Sequence, residues 1–124
     1  MIYLAVALAG ALGAVCRFLM DTLVRSQNES YFPWGTFVVN ISGSFALGII
    51  AALALRFDIP EVFTIAASTG FLGAYTTFSG WMVQTIELIE SGAWNYALHN
   101  VFSSVVLGIL AAAGGFALIA WATS

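Results

Sequence analysis

The stretch Ser68-Thr69-Gly70-Phe71-Leu72-Gly73-Ala74-Tyr75-Thr76-Thr77-Phe78-Ser79-Gly80-Trp81 decides how this chain is read. It lies inside a charge-free run from Val62 to Ile86, long enough to cross the hydrocarbon core of a bilayer. Yet it holds three glycines and five Ser or Thr residues in fourteen positions, poor material for a continuous helix. In lipid, a helix breaks only where the freed backbone groups find partners in protein, water or an ion. Half-helix ends at mid-membrane are a device by which transport proteins hold ions. The expectation is a third helix broken near the membrane midplane. An intact, glycine-rich helix packed closely on its neighbours is the structural alternative.

Outward from this stretch, the rest of the chain reads as membrane. Of 124 residues 61% are hydrophobic and 7% are charged, where a soluble domain carries roughly a quarter charged residues. Trp34 to Leu55 and Ser91 to Ser124 are likewise free of charge, and Ile2 to Cys16 precedes Arg17 and Asp21. Arg17 lies close enough to a helix end to snorkel to the interface. The last run is too short for two spans and a turn, and Trp94 and Trp121 near its ends suit the aromatic belts of one long helix. Pro33 and Pro60 mark the starts of the second and third helices. The linkers, Arg25 to Pro33, Arg56 to Pro60 and Glu87 to Gly92, are too short to fold alone. Residues 1–124 therefore read as a single all-α domain of four transmembrane helices. No Lys or Arg precedes the first apolar stretch, so that stretch reads as a retained helix rather than a cleaved signal. With Arg25 on one side and Arg56 on the other, the positive-inside rule finds almost no bias. Insertion in both orientations, and an antiparallel dimer, would follow.

Polar side chains at bilayer depth are costly and tend to mark function. Asn40, Ser44, Gly48 and Ala52 recur every four residues, and so do Asn100, Ser104, Gly108 and Ala112, giving each helix one stripe. Small-residue packing explains the serines and glycines well. It explains Asn40 less well, because a primary amide in mid-span costs more and offers two N–H donors. No Asp, Glu, Lys or His falls at mid-depth, and His99 sits near an interface. Proton coupling thus lacks its usual group. The residues also offer no nucleophile–base pair and no ligand cluster, which argues against an enzyme. The single cysteine, Cys16, gives no disulfide and no thiolate metal site. Three arginines and no lysine argue against nucleic acid as a partner.

At these residues the chain resembles the Fluc family of bacterial fluoride channels. The likeness rests on Gly13-Ala14-Val15-Cys16-Arg17-Phe18, Gly35-Thr36-Phe37-Val38-Val39-Asn40, Thr69-Gly70-Phe71-Leu72-Gly73 and Thr76-Thr77-Phe78-Ser79. It implies a passive fluoride channel of the cell's inner (plasma) membrane, inserted both ways up, with two pores at the interface of an antiparallel dual-topology homodimer. It also implies a central structural Na⁺ held by the backbone carbonyls of Gly73 and Thr76. Thr36, Asn40, Phe78, Ser79, Trp81, Asn100 and Ser104 are the expected pore residues, with Arg17 at the aqueous vestibule. Two positions depart from the pattern: Trp81 stands where a second Phe is expected, and Gly108 lacks a hydroxyl. The chemistry fits a small, tightly hydrated anion. Amide and hydroxyl donors can replace water, ring edges are electropositive, and a neutral lining lets the ion leave. Two other readings stay open. A small multidrug-resistance-type transporter would want a carboxylate in the middle of the first helix, which Ile2 to Cys16 lacks. A structural subunit of a larger membrane complex would need an obligate partner.

Overall fold

The computed structural model describes residues 1–124, and every regular element in it is helical. Three helices are long and apolar enough to cross a membrane: α1 (Ile2–Ser26), α2 (Trp34–Arg56) and α6 (Trp94–Ala122). Between α2 and α6 the chain runs through α3 (Glu61–Ile65), a π-helical segment (Ala66–Leu72), α4 (Gly73–Tyr75) and α5 (Ser79–Glu90). Pro33 and Pro60 are the N-caps of α2 and α3, one residue before the first turns they open.

The expected break is present, and within the stretch it falls on the hydroxyl-rich Thr76–Phe78, while Gly70 and Gly73 stay inside helical turns. Thr76 is extended (φ −78, ψ 160), whereas Gly73 is helical (φ −61, ψ −34). The glycines serve close approach instead. A Cβ on Gly13 would run into the Phe71 carbonyl, and one on Gly70 would press on the Val6 carbonyl and on Ala9. These absences of side chain let α1 lie tightly on the π-helical segment, as small residues do between membrane helices. The wide turn precedes the break, and π turns of this kind concentrate near functional sites.

The two small-residue stripes face each other. A Cβ on Gly48 would strike the Ala112 carbonyl, one on Gly115 would strike the Phe45 carbonyl, and Gly108 lies beside Ser44. Ser44 pairs with Gly108 and Gly48 with Ala112, so α2 and α6 run side by side in the same direction. Arg56 Nη1 donates to the Thr123 carbonyl at 3.2 Å, joining their C-terminal ends. The interrupted stretch must therefore carry the chain back from the end of α2 to the level at which α2 began.

The turn from α5 into α6 is shorter than the linker read from the sequence, because α5 continues to Glu90. Gly92 takes a left-handed conformation (φ 79). Its N–H reaches the Ile89 carbonyl at 3.0 Å and that of Ala93 the Leu88 carbonyl at 2.8 Å. This pattern satisfies the last carbonyls of a helix and favours glycine at that position. Only 15 of 124 residues are buried within the chain, and just three of them, Val39, Leu72 and Tyr75, form an apolar cluster, so most of its apolar surface requires lipid or another chain.

Candidate functional site

A helix break frees backbone donors and acceptors, and each must find a partner. Here the side chains of α1 and α2 supply them. Asn40, two turns into α2, holds both backbone groups of Thr77. Its Oδ1 accepts from the Thr77 N–H at 2.8 Å, and its Nδ2 donates to the Thr77 carbonyl at 2.9 Å. A peptide N–H can only donate and a carbonyl can only accept, so this pairing fixes which end of the amide is which. One N–H of Asn40 is committed. The other makes no hydrogen bond within the chain, and Asn40 lines the hollow beside it. The sequence reading counted two donors for an ion, and the structure leaves one.

Thr77 also closes the start of α5, its hydroxyl accepting from the Gly80 N–H at 3.1 Å. On the other side of the break, the Thr76 hydroxyl and N–H both turn back to the Leu72 carbonyl at 2.9 Å. The Thr76 carbonyl accepts from Arg17 Nη1 at 3.3 Å. Arg17 is thus a half-buried contact to the break itself, as well as a wall of the hollow beside it. None of the hydrogen bonds across the break ends on the Gly73 carbonyl.

The break separates two hollows. The first, about 350 Å³, is lined by Asn40, Phe78, Trp81 and Ser104, together with Gly73, Thr76 and Ser44. The second, about 380 Å³, is lined by Arg17, Thr36 and Ser79, with Asp21 and Gln84. Thr77 borders both. The expected pore residues are therefore divided, four to one side and two to the other. Arg17 accompanies the pair, and the Asn40–Thr77 bridge forms the partition. Asp21 is held by Arg25 in an exposed ion pair at 2.9 Å.

Phe78 and Trp81 meet edge to face, with ring centroids 5.5 Å apart and planes at 70°. Phe78 is 72% exposed on the protomer although it belongs to the hollow, so its ring projects outward from it. Trp81 is anchored, since its Nε1–H donates to the Asn100 carbonyl at 3.1 Å. Asn100 lines neither hollow. It is 0% exposed and its Nδ2 donates to Thr85 Oγ1 at 2.9 Å. Asn100 Oδ1 and Ser104 Oγ are buried without a hydrogen-bond partner. Gly108 lies off the first hollow's lining, beside Ser44.

Sequence reasoning passed over three residues of this arrangement. Thr77 stood inside the Thr-Thr-Phe-Ser motif, and its position at the break was the available signal. Thr85 and Gln84 lie one turn beyond Trp81 and carry no signal apart from their polarity in an apolar run. No group of three or more His, Cys, Asp or Glu side chains comes together to bind a metal.

This arrangement can offer a small anion one amide N–H, a serine hydroxyl and aromatic edges, and it places no fixed charge inside the first hollow. Residues 4–116 match the family described as CrcB-like protein, Camphor Resistance. A protein of Magnetococcus marinus named Fluoride-specific ion channel FluC is 44% identical over 108 residues, covering 86% of this chain and 88% of its own. Fluoride-specific ion channel FluC 2 of Mycobacterium tuberculosis is 47% identical over 111 residues, covering 90% of this chain and 85% of its own. The FluC protein of Maridesulfovibrio salexigens is 37% identical over 117 residues, covering 94% and 93%. With a family match across most of its length and relatives of this similarity, the chain belongs to the CrcB-like family.

Proposed function

We propose that the chain is a passive, fluoride-selective channel that lets cytoplasmic fluoride leave the cell, and that it performs no chemical transformation. The observation that carries this is the likeness, across nearly the full length of both chains, to proteins named fluoride-specific ion channels. The donor set beside the break supports it. Fluoride gives up its water only to strong hydrogen-bond donors, and Asn40 and Ser44 line one hollow with the Phe78 and Trp81 rings, while the Ser104 hydroxyl oxygen is buried behind its wall. No titratable group lines that hollow, which suits downhill flow rather than proton-driven export.

The conducting unit in this reading is an antiparallel homodimer of four-span protomers in the inner (plasma) membrane. The parallel run of α2 and α6 favours a fourth crossing by residues 57–93. The outward-facing Phe78 asks for a covering chain, and the balanced arginines permit both orientations. A structural Na⁺ fits with one condition. A single protomer offers only the Gly73 and Thr76 carbonyls, and Thr76 already accepts from Arg17. Hard cations prefer several oxygen ligands, so two copies of the break would have to meet to build the cage.

The test is efflux from liposomes holding the purified protein. Trapped fluoride should leave down its gradient while trapped chloride stays. Comparable chloride flux, or fluoride movement that requires a proton gradient, refutes the reading.

A further inference from the structure

Trp81 is where this chain leaves the pattern its resemblance implies, and the indole there is already occupied. An indole has one donor and no acceptor, and this donor is committed to the Asn100 carbonyl at 3.1 Å. Nothing of the N–H remains for an anion. With its N–H committed, Trp81 lines the first hollow as an aromatic ring, set at 70° to that of Phe78. The edge of such a ring is its electropositive part.

The ring is held through a closed circuit of bonds. Thr85 Oγ1 donates to the Trp81 carbonyl at 2.8 Å and accepts from Asn100 Nδ2 at 2.9 Å. The carbonyl can only accept, so the one hydroxyl proton of Thr85 is committed to it. The Asn100 atom facing Thr85 must then be the nitrogen. The indole rests on the Asn100 backbone, the Asn100 amide on Thr85, and Thr85 on the Trp81 backbone. Asn100 is 0% and Thr85 6% exposed, so water does not compete for these bonds. The amide atom left without a partner is Oδ1, an acceptor, which repels an anion.

We infer that Trp81 serves the anion path through its ring edge, and that Asn100 and Thr85 are positioning residues that fix the ring without touching the ion. What the ring does rests on the fluoride-channel reading; how it is held does not.

A double-mutant cycle on fluoride efflux separates positioning from direct contact. Trp81→Phe keeps an aromatic ring and removes the indole bond to Asn100, and its own flux is the reference for the second change. Asn100→Val should slow flux about tenfold when Trp81 is present, and by less than about twofold in the Trp81→Phe background. Thr85→Val, which conserves shape in case Asn100→Val fails to assemble, should show the same coupling. Equal losses in both backgrounds would overturn the inference, because Asn100 and Thr85 would then act independently of the ring. The second readout is the indole N–H resonance of Trp81 in the ¹⁵N-labelled protein, assigned by its absence from Trp81→Phe. It should be protected from deuterium exchange in the parent and lose protection in Thr85→Val. An indole in the parent that exchanges as fast as that of exposed Trp94 would overturn the anchoring whether or not the protein carries fluoride. A protected indole in a parent that carries no fluoride would sink the ring-edge role together with the channel reading, while upholding the anchoring.

Discussion

Asn40 and Asn100 look alike in sequence and do different work in the structure. Each heads a stripe of Ser, Gly and Ala at four-residue spacing, and the two stripes pack against each other. Asn40 bridges a helix break and retains one free N–H beside a hollow. Asn100 is fully buried, and its nitrogen serves a threonine that in turn serves a tryptophan. The difference teaches that an amide within a membrane protein is not a ligand because it is polar. What it can offer an ion is what remains after the backbone around it has been satisfied. At Asn40 both amide atoms are engaged and one N–H remains, on a residue that lines the hollow; at Asn100 one N–H and the whole of Oδ1 remain, but both are shut away from it.

The largest effect should come from Asn40→Leu, which strikes the bridge and the free donor together. It orphans the N–H and the carbonyl of Thr77, each at a cost of about 1–3 kcal/mol where water cannot replace the bond. Fluoride efflux should fall to background, and the protein should lose thermal stability in detergent. A stable, fully assembled variant with parental flux would erase the distinction between the two asparagines. Asn40→Asp keeps the acceptor for the Thr77 N–H but loses the donor and adds negative charge, so it too should abolish flux. A conducting Asn40→Asp protein would show that the donor is dispensable.

An intermediate effect is expected at Thr77, where the hydroxyl caps α5 through Gly80. Thr77→Val removes an N-terminal helix bond worth about 1 kcal/mol and leaves the Asn40 bridge intact. It should lower the melting temperature by less than Asn40→Leu does, with partial flux. Arg17→Gln should act in the opposite direction on cation binding. If two breaks build the proposed Na⁺ cage, Arg17, which holds positive charge against the Thr76 carbonyl, opposes the ion, and its removal should reduce the Na⁺ concentration needed for full activity. An increased Na⁺ requirement would place Arg17 among the supports of the cage rather than its competitors.

The smallest effect belongs to Gly108→Ser. A Cβ there would meet Ser44 Oγ at 3.6 Å, an ordinary contact, so the helices need not move apart. Flux should change by less than about twofold. A severalfold gain would bring Gly108 into the working lining after all.

Much of this was legible in the sequence, for reasons particular residues supply. Charge-free runs set the apolar helices, and Pro33 and Pro60 set two of their starts. The break could be expected within residues 68–81, because glycines and hydroxyls crowd there. The choice between the glycines and Thr76-Thr77 within that stretch could not. Gly70 and Gly73 weaken a helix intrinsically, but Gly70 is needed where α1 comes close, and both remain helical or π-helical. The chain opens instead where Arg17, from 59 residues away in sequence, and Asn40, from 37, can reach its freed groups. Partners so distant are set by packing and leave no local pattern. The same holds for Asn100, whose stripe pointed to the hollow while its bonds to Trp81 and Thr85 turned it inward.

One current tests fluoride selectivity most directly. The purified protein in a planar bilayer, with opposed fluoride and chloride gradients, should carry a steady current that reverses at the fluoride equilibrium potential. Shifting only the chloride gradient or only the pH should leave that potential where it was. A reversal that follows chloride or protons, or no current in a correctly assembled protein, would contradict it.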